Sequence, residues 1–212
     1  MKRRQCTLFY FDIRGRAEAI RMMLHANDVP FEDVRFHREQ WLERKHEFPG
    51  GKLPLLQVRE EGSQEKKTYR ESMAIARVLA RHYNMMGDSE EEYYRIERMM
   101  GECADLDKEF VNVFFAPECQ KKEVLEKAMT GEVPRLLNLI CESLSESGGK
   151  FVAGNKVTLG DLCLMASMEN VRRADPQLLK TKYPTLLALE SEVCKVLPKL
   201  ADYIKTRPET PL

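Results

Sequence analysis

The sequence carries no excess of either charge, with 34 acidic side chains against 34 basic ones. A chain without a field of one sign has no general means of holding a polyanion, so neither nucleic acid nor a bulk anionic membrane is expected as a partner. No apolar run approaches the ~18 residues needed to span a bilayer. The basic opening MKRRQC is followed by neither a long apolar stretch nor a small-residue cleavage site, so a signal peptide is not expected. There is no C-x-x-C pair. The six cysteines, Cys6, Cys103, Cys119, Cys141, Cys163 and Cys194, are scattered through a long chain. That pattern favours buried thiols in a reducing cytoplasm over a disulfide framework. There is no Walker A sequence and no G-x-S-x-G, and His25, His37, His46 and His82 show no metal-ligand spacing. No repeat or low-complexity segment appears. What remains is a chain of 212 residues with 43% hydrophobic content, enough for one large domain or two small ones.

The two halves have different patterns. Up to about residue 83, short apolar runs alternate with helical stripes, which is the pattern of an α/β domain. CTLFYF, FEDVRF, LPLLQV and KKTYR read as strands. REEGSQE, with a Gly and no apolar anchor, reads as the hairpin loop between the last two. Ala17, Ile20 and Leu24 mark one amphipathic helix, and Ile75, Val78, Leu79 and His82 another. Beyond NMMGDS the chain reads as helix throughout. Met99, Cys103, Leu106, Phe110 and Val113 form a long stripe. Ser89 and Glu92 fit an S-x-x-E capping box at its start, and the EEE run suits the positive end of the helix dipole. Val124 to Leu144 suggests one or two further helices, and Leu159 to Ala166 another. The expected organisation is an α/β domain over 1–83, a linker over 84–92 and an all-α domain over 93–212.

Four short stretches could carry chemistry, and each also has an ordinary structural reading. In LFYFDIRGRAE, Tyr10 ends a strand before a turn loaded with arginines. A phenol with a pKa near ~10 stays neutral, yet its O–H can donate to a thiolate and so favour the charged form. Arg16, with Arg14 or Arg21, would act in the same direction. Alternatively, Tyr10 is an amphipathic tyrosine with a wet tip. In GGKLPLL, Pro54 either opens a strand in trans or follows Leu53 through a cis bond, which only X-Pro adopts readily. The cis form would leave the Leu53 backbone free to pair with an extended ligand. In YRESMAIAR, Ser72 starts a helix whose free N–H groups could hold a carboxylate, with Glu71 beside it to accept from an ammonium. It could equally be a plain cap. In HREQWLERKHEF, Trp41 and Lys45 could share a helical face, as an indole donor and a point charge for a carboxylate, or as core and solvated surface.

Together LFYFDIRGRAEAIR, FPGGKLP, ESMAIAR, MMGDSEEEYYR and VTLGDL resemble the glutathione transferases over essentially the whole chain. The resemblance is to the sigma class, and within it to the branch found in flukes. It implies a thioredoxin-like N-terminal domain followed by an all-α C-terminal domain, in a homodimer. It implies glutathione as co-substrate with no tightly bound cofactor. Tyr10 matches the tyrosine whose hydroxyl meets the glutathione sulfur, and Arg16 an arginine beside it, with Phe11 next in the site. Trp41, Lys45 and Lys52 match residues at the glycyl end. Leu53 and Pro54 match the backbone-pairing position and the cis proline. Glu71 and Ser72 match the pair that grips the γ-glutamyl end, and Asp105 an acid that reaches this end from the partner subunit. Thr158 and Asp161 match a capping motif that marks the fold.

The resemblance implies that the thiolate attacks small hydrophobic electrophiles, as in detoxification. Phe11, Ile13, Gly15 and Leu212 are candidates for the electrophile site by position. A second reading is a glutathione-dependent prostaglandin D isomerase or a lipid peroxidase. The vertebrate enzymes of that kind line the second pocket with a tryptophan, whereas Trp41 is the sole tryptophan here. Their interface magnesium site uses aspartates at positions that here read as Gly101 and Ala104, so no metal site is expected. A third reading is a non-catalytic, crystallin-like or ligand-binding module. Such a copy would be free to lose Tyr10, Arg16, Trp41, Lys45 or Ser72, and all are present.

Overall fold

The computed structural model describes residues 4–210. The chain forms two units, one comprising the chain up to Tyr83 and again from Leu197, the other Asn84–Val196. In the first unit, β1 (Arg4–Phe11) leads through a short 3-10 turn to α1 (Glu18–Ala26) and then to β2 (Phe31–Phe36). β1 and β2 are parallel, with α1 as the crossover. After α2 (Arg38–Arg44) and two 3-10 turns come β3 (Leu55–Glu60), β4 (Lys66–Arg70) and α3 (Ser72–His82). β3 is antiparallel to both β1 and β4, so the sheet order is β2-β1-β3-β4.

Alternation along β1 builds the core. Cys6, Leu8 and Tyr10 are buried, while Thr7, Phe9 and Phe11 between them are half-buried, as a period of two requires. The buried residues of α1 and α3 include Ile20, Leu24, Ile75 and Leu79, and the two helices pack together. On the Phe9 side an aromatic cluster of Phe36, Phe48, Trp41 and Phe9 takes over.

β2 and β4 occupy the expected segments, FEDVRF and KKTYR. β3 begins at Leu55 rather than Leu53; Pro54 has no N–H to give the ladder, and the Leu53–Pro54 bond before it is cis. In the second unit α4 (Glu90–Phe115) packs on α5 (Lys121–Thr130), α6 (Glu132–Ser145) and α7 (Leu159–Ala174). Ser89 Oγ accepts from the Glu92 N–H at 3.2 Å. The reciprocal half of the expected capping box is displaced by one residue, since the Glu92 carboxylate accepts from the Asp88 N–H at 2.6 Å. At the head of α7 the Asp161 carboxylate accepts from the Thr158 N–H, the Thr158 hydroxyl and the Val152 N–H, at 2.8, 3.0 and 2.8 Å.

The domain boundaries differ from the expected ones at two places. Residues 84–92, expected as a linker, fall within the second unit: Met85 and Met86 are buried, the Met85 carbonyl accepts from the Leu159 N–H, and α4 is already formed at Glu90. The helical half does not run to residue 212. After α8 (Leu178–Lys182) and α9 (Pro184–Val196), the chain returns as α10 (Pro198–Thr206) and packs on α1 with Leu200 and Tyr203 buried. All six cysteines are free thiols. Cys6, Cys103 and Cys163 are buried as expected, but Cys119 is exposed and Cys141 and Cys194 are half-buried. Among the described residues no helix is long and apolar enough to cross a membrane, and no three His, Cys, Asp or Glu side chains are grouped to hold a metal ion.

Candidate active site

The site begins where β1 runs out. Tyr10 is buried, and its hydroxyl oxygen accepts the backbone N–H of Arg16 at 3.1 Å. The chain reaches that position by doubling back through Gly15, which stands at φ +39°. A Cβ on Gly15 would lie 2.9 Å from the Tyr10 hydroxyl and 3.3 Å from Ile13 Cδ1. The turn therefore takes glycine for two reasons, the left-handed backbone and the close approach of the phenol.

The turn is also held from below. Arg21 is fully buried, and one of its terminal N–H groups donates to the carbonyls of Ile13 at 3.0 Å and Arg14 at 3.2 Å. Its Nε donates to both oxygens of Asp33, and it pairs with Glu18 at 3.3 Å. The guanidinium lies 5.8 Å from the centre of the Tyr10 ring. Of the arginines near this turn, Arg16 approaches Tyr10 through its backbone and keeps an exposed side chain. Arg14 instead reaches the Pro208 carbonyl and Glu209. The sequence pattern puts Arg21 near the phenol without showing its clamp on the turn. Its position was the available signal: it falls on the apolar stripe of Ala17, Ile20 and Leu24, where a charge needs partners.

Burial pushes the Tyr10 phenol above its ordinary pKa, against the Arg16 N–H and the charges of Arg16 and Arg21, which pull it down. Tyr10 is thus a neutral phenol at pH 7. Because its oxygen already accepts from Arg16, its own O–H is left to donate elsewhere.

Phe11 follows Tyr10, with ring centres 5.4 Å apart, and stands edge-on to Trp41 at 5.6 Å. Trp41 is half-buried on α2 and also packs against Phe36 and Phe48. Lys45 lies past the end of α2, where its N–H closes the helix on the Trp41 carbonyl. Lys45 and Lys52 are both exposed. Between Lys52 and β3 stands Leu53, half-buried, with its cis bond to a buried Pro54. The β3 register starts at Leu55, so the sheet ladder leaves Leu53 unpaired.

At the far end of this row β4 passes into α3 through Glu71, which adopts φ +67°. A non-glycine residue rarely holds such a backbone conformation unless its surroundings impose it. Glu71 is itself the N-cap position and makes no side-chain capping bond, so Ser72 is the first helical residue rather than the cap. The first backbone bond of α3 is from the Ile75 N–H to the Glu71 carbonyl, which leaves the N–H groups of Ser72, Met73 and Ala74 pointing out of the helix start. An 11-residue helix presents the positive end of its dipole there.

The first unit therefore brings together the turn (Tyr10, Phe11, Ile13, Gly15, Arg16), the Trp41 aromatic group, Leu53–Pro54 and the Glu71–Ser72 helix start. Asp105 lies in the second unit, exposed on α4. Leu212 lies outside the described residues.

Two family models match the chain: the glutathione S-transferase N-terminal domain over residues 6–81, and the glutathione S-transferase C-terminal domain over residues 104–207. The glutathione S-transferase class-mu 28 kDa isozyme of Schistosoma japonicum is 41% identical over 203 residues, 96% of this chain and 98% of the relative. The hematopoietic prostaglandin D synthase of Homo sapiens is 31% identical over 97% of this chain and 98% of its own. A solved structure of the Fasciola hepatica sigma class GST superposes with a TM-score of 0.92 at 42% identity, covering 99% of both chains. The chain belongs to the glutathione S-transferase family.

Proposed function

We propose that this protein is a glutathione transferase in which Tyr10 ionises the glutathione thiol for attack on small hydrophobic electrophiles. The observation that carries this reading is the hydrogen bond from the Arg16 N–H to the buried Tyr10 hydroxyl. It fixes the oxygen, polarises the O–H and leaves that proton to be donated to sulfur. A free thiol has a pKa near ~8.5. A hydrogen bond donated to the sulfur favours the thiolate, and the nearby arginine charges add to it. The thiolate then forms a C–S bond to the electrophilic carbon, the bond from that carbon to its leaving group breaks, and the thiol proton passes to solvent.

The rest of glutathione has a partner in each remaining part of the site. Its peptide would pair with the unladdered backbone of Leu53, ahead of Pro54. Its γ-glutamyl carboxylate would sit on the N–H groups at the start of α3, with the Ser72 hydroxyl, and its ammonium against Glu71. Its glycyl carboxylate would meet Lys45, Lys52 and the Trp41 indole. In a homodimer, Asp105 of the second copy would add a further acid at the ammonium. Phe11, Ile13 and Gly15 would border the electrophile. The expected setting is the cytoplasm.

Conjugation of glutathione to an aryl halide tests this, with wild type and Tyr10→Phe side by side. Removing one hydrogen bond to a charged group costs roughly 1.5–3 kcal/mol, a fall of about one to two orders of magnitude in rate. An unchanged mutant rate takes Tyr10 out of the mechanism. Prostaglandin D isomerisation is a second reading, supported by the 31% identity to the human synthase over nearly the whole chain. It uses the same thiolate, and a wild type inactive on aryl halides but active on a prostaglandin endoperoxide would select it.

A further inference from the structure

Thiol activation as proposed depends on where the Arg16 N–H stands, and the support for that turn continues beyond Arg21 into the C-terminal segment. Glu18 is buried and serves two sides at once. One oxygen pairs with Arg21 at 3.3 Å. The other accepts from the Tyr203 hydroxyl at 3.0 Å and from the Arg207 guanidinium at 2.8 Å. Both donors come from α10 and the residue that follows it. We propose that Tyr203 and Arg207 are positioning residues for the proposed thiol activation, holding the Tyr10–Arg16 turn in place through Glu18 and Arg21.

Each link of the relay is direct: Arg207 and Tyr203 to Glu18, Glu18 to Arg21, Arg21 to the Ile13 and Arg14 carbonyls, and the turn to the Tyr10 oxygen. A second tie runs parallel to it, from Arg14 to the Pro208 carbonyl at 3.5 Å. The charges of the relay and its neighbours cancel. Arg21, Arg35 and Arg207 face Glu18, Asp33 and Asp12, three against three. Loss of Arg207 leaves a buried carboxylate short of one cation, and Arg21, already 3.3 Å from it, is drawn closer. A guanidinium drawn toward Glu18 loosens its hold on the two carbonyls.

The inference rests on the transferase reading, so its test must separate the two. The titration of enzyme-bound glutathione is followed by thiolate absorbance, with kcat and KM for glutathione, in wild type, Arg207→Gln, Arg207→Lys, Tyr203→Phe and Lys199→Ala. Lys199 is a control on α10, pairing with Asp28 at 3.8 Å rather than with Glu18. In Arg207→Gln the bound thiol should titrate about one pH unit higher and kcat should fall about tenfold, while KM for glutathione changes less than about threefold. Arg207→Lys should recover most of the loss, Tyr203→Phe should show a smaller shift of the same kind, and Lys199→Ala should match wild type. If Arg207→Gln does not fold, Tyr203→Phe decides, since its ring still stacks on His25. Folded variants with wild-type titration and kcat overturn the inference. So does a Lys199→Ala loss equal to that of Arg207→Gln, because simple docking of α10 would then suffice. A wild type with no thiolate signal removes the transferase reading and this inference together, whereas a normal wild type with silent variants removes this inference alone.

Discussion

Gly15→Ala is the most direct test of how the turn sets the phenol, because one added carbon acts on it through sterics alone. The new Cβ would stand 2.9 Å from the Tyr10 hydroxyl, and ordinary contact begins at 3.4 Å, so the hydroxyl must retreat about 0.5 Å. The Arg16 N–H to Tyr10 bond is 3.1 Å long. A retreat along it takes the pair to about 3.6 Å, beyond useful hydrogen-bond range. Losing such a bond costs roughly 1 kcal/mol, or about a fivefold to tenfold fall in kcat. Placing alanine at φ +39° adds about 1–2 kcal/mol of lost fold stability. The assay is kcat with an aryl halide, read beside the titration of bound glutathione and a denaturant midpoint. The two effects should appear together, with a destabilised protein whose bound thiol titrates higher and whose KM for glutathione is little changed. A Gly15→Ala protein with wild-type kcat and thiol titration would refute the reasoning, because the hydroxyl would then not depend on the turn.

Three further outcomes follow from the same geometry. Lys45→Ala should raise KM for glutathione about fivefold, an exposed charge being worth little, and leave kcat nearly unchanged; equal losses in both would place Lys45 in the chemical step. Asp105→Asn should raise KM for glutathione only in a dimer, which sedimentation of the same sample would establish; a change in kcat alone would contradict the binding role. Burial holds the Asp161 carboxyl up at about 6, against the hydrogen bonds it accepts from the Val152, Thr158 and Asp161 N–H groups and the Thr158 hydroxyl. The folded state therefore binds a proton more tightly than the unfolded chain between about pH 4 and 6. The stability this confers is fully present below the unfolded pKa and is lost as pH rises through about 6. Denaturation from pH 4 to 7 should show this slope in wild type and not in Asp161→Asn, and parallel curves would refute it.

Much of the first unit was legible because its rules are local. A period of two exposes strands, and FEDVRF and KKTYR fall where the pattern puts them. Tyr10 was visible because a charged turn after an apolar run is unusual. Other features depended on contacts that no local pattern encodes. A strand-initial proline reads the same in cis and trans, so β3 was placed two residues early. Ser72 stands at the start of α3, as the pattern puts it, but its ordinary alternative as a cap fails, because Glu71 holds that position at φ +67°, which serine preference does not predict. The 197–210 segment falls, by pattern, in the all-α half. Its burial against α1 depends on Glu18 meeting Tyr203 and Arg207 across 185 and 189 residues, and separations of that size carry no periodicity.

The placement of charge beneath the turn also bears on how the site tolerates change. Tyr10 receives its hydrogen bond from a backbone N–H, which every residue but proline supplies at position 16. The Arg16 guanidinium is exposed and, under the proposed mechanism, would act on a bound sulfur only through screened charge. The Arg21 guanidinium is buried, and a buried charge is costly unless its partners are kept. Under the proposed mechanism, substitutions at position 16 should tune the thiolate, whereas substitutions at 18, 21 or 207 should disturb the backbone that delivers the donor. The exposed arginine nearest the proposed chemistry is thus the more replaceable one. The greater constraint falls on a buried ion network that includes two residues, Tyr203 and Arg207, far from Tyr10 in the chain.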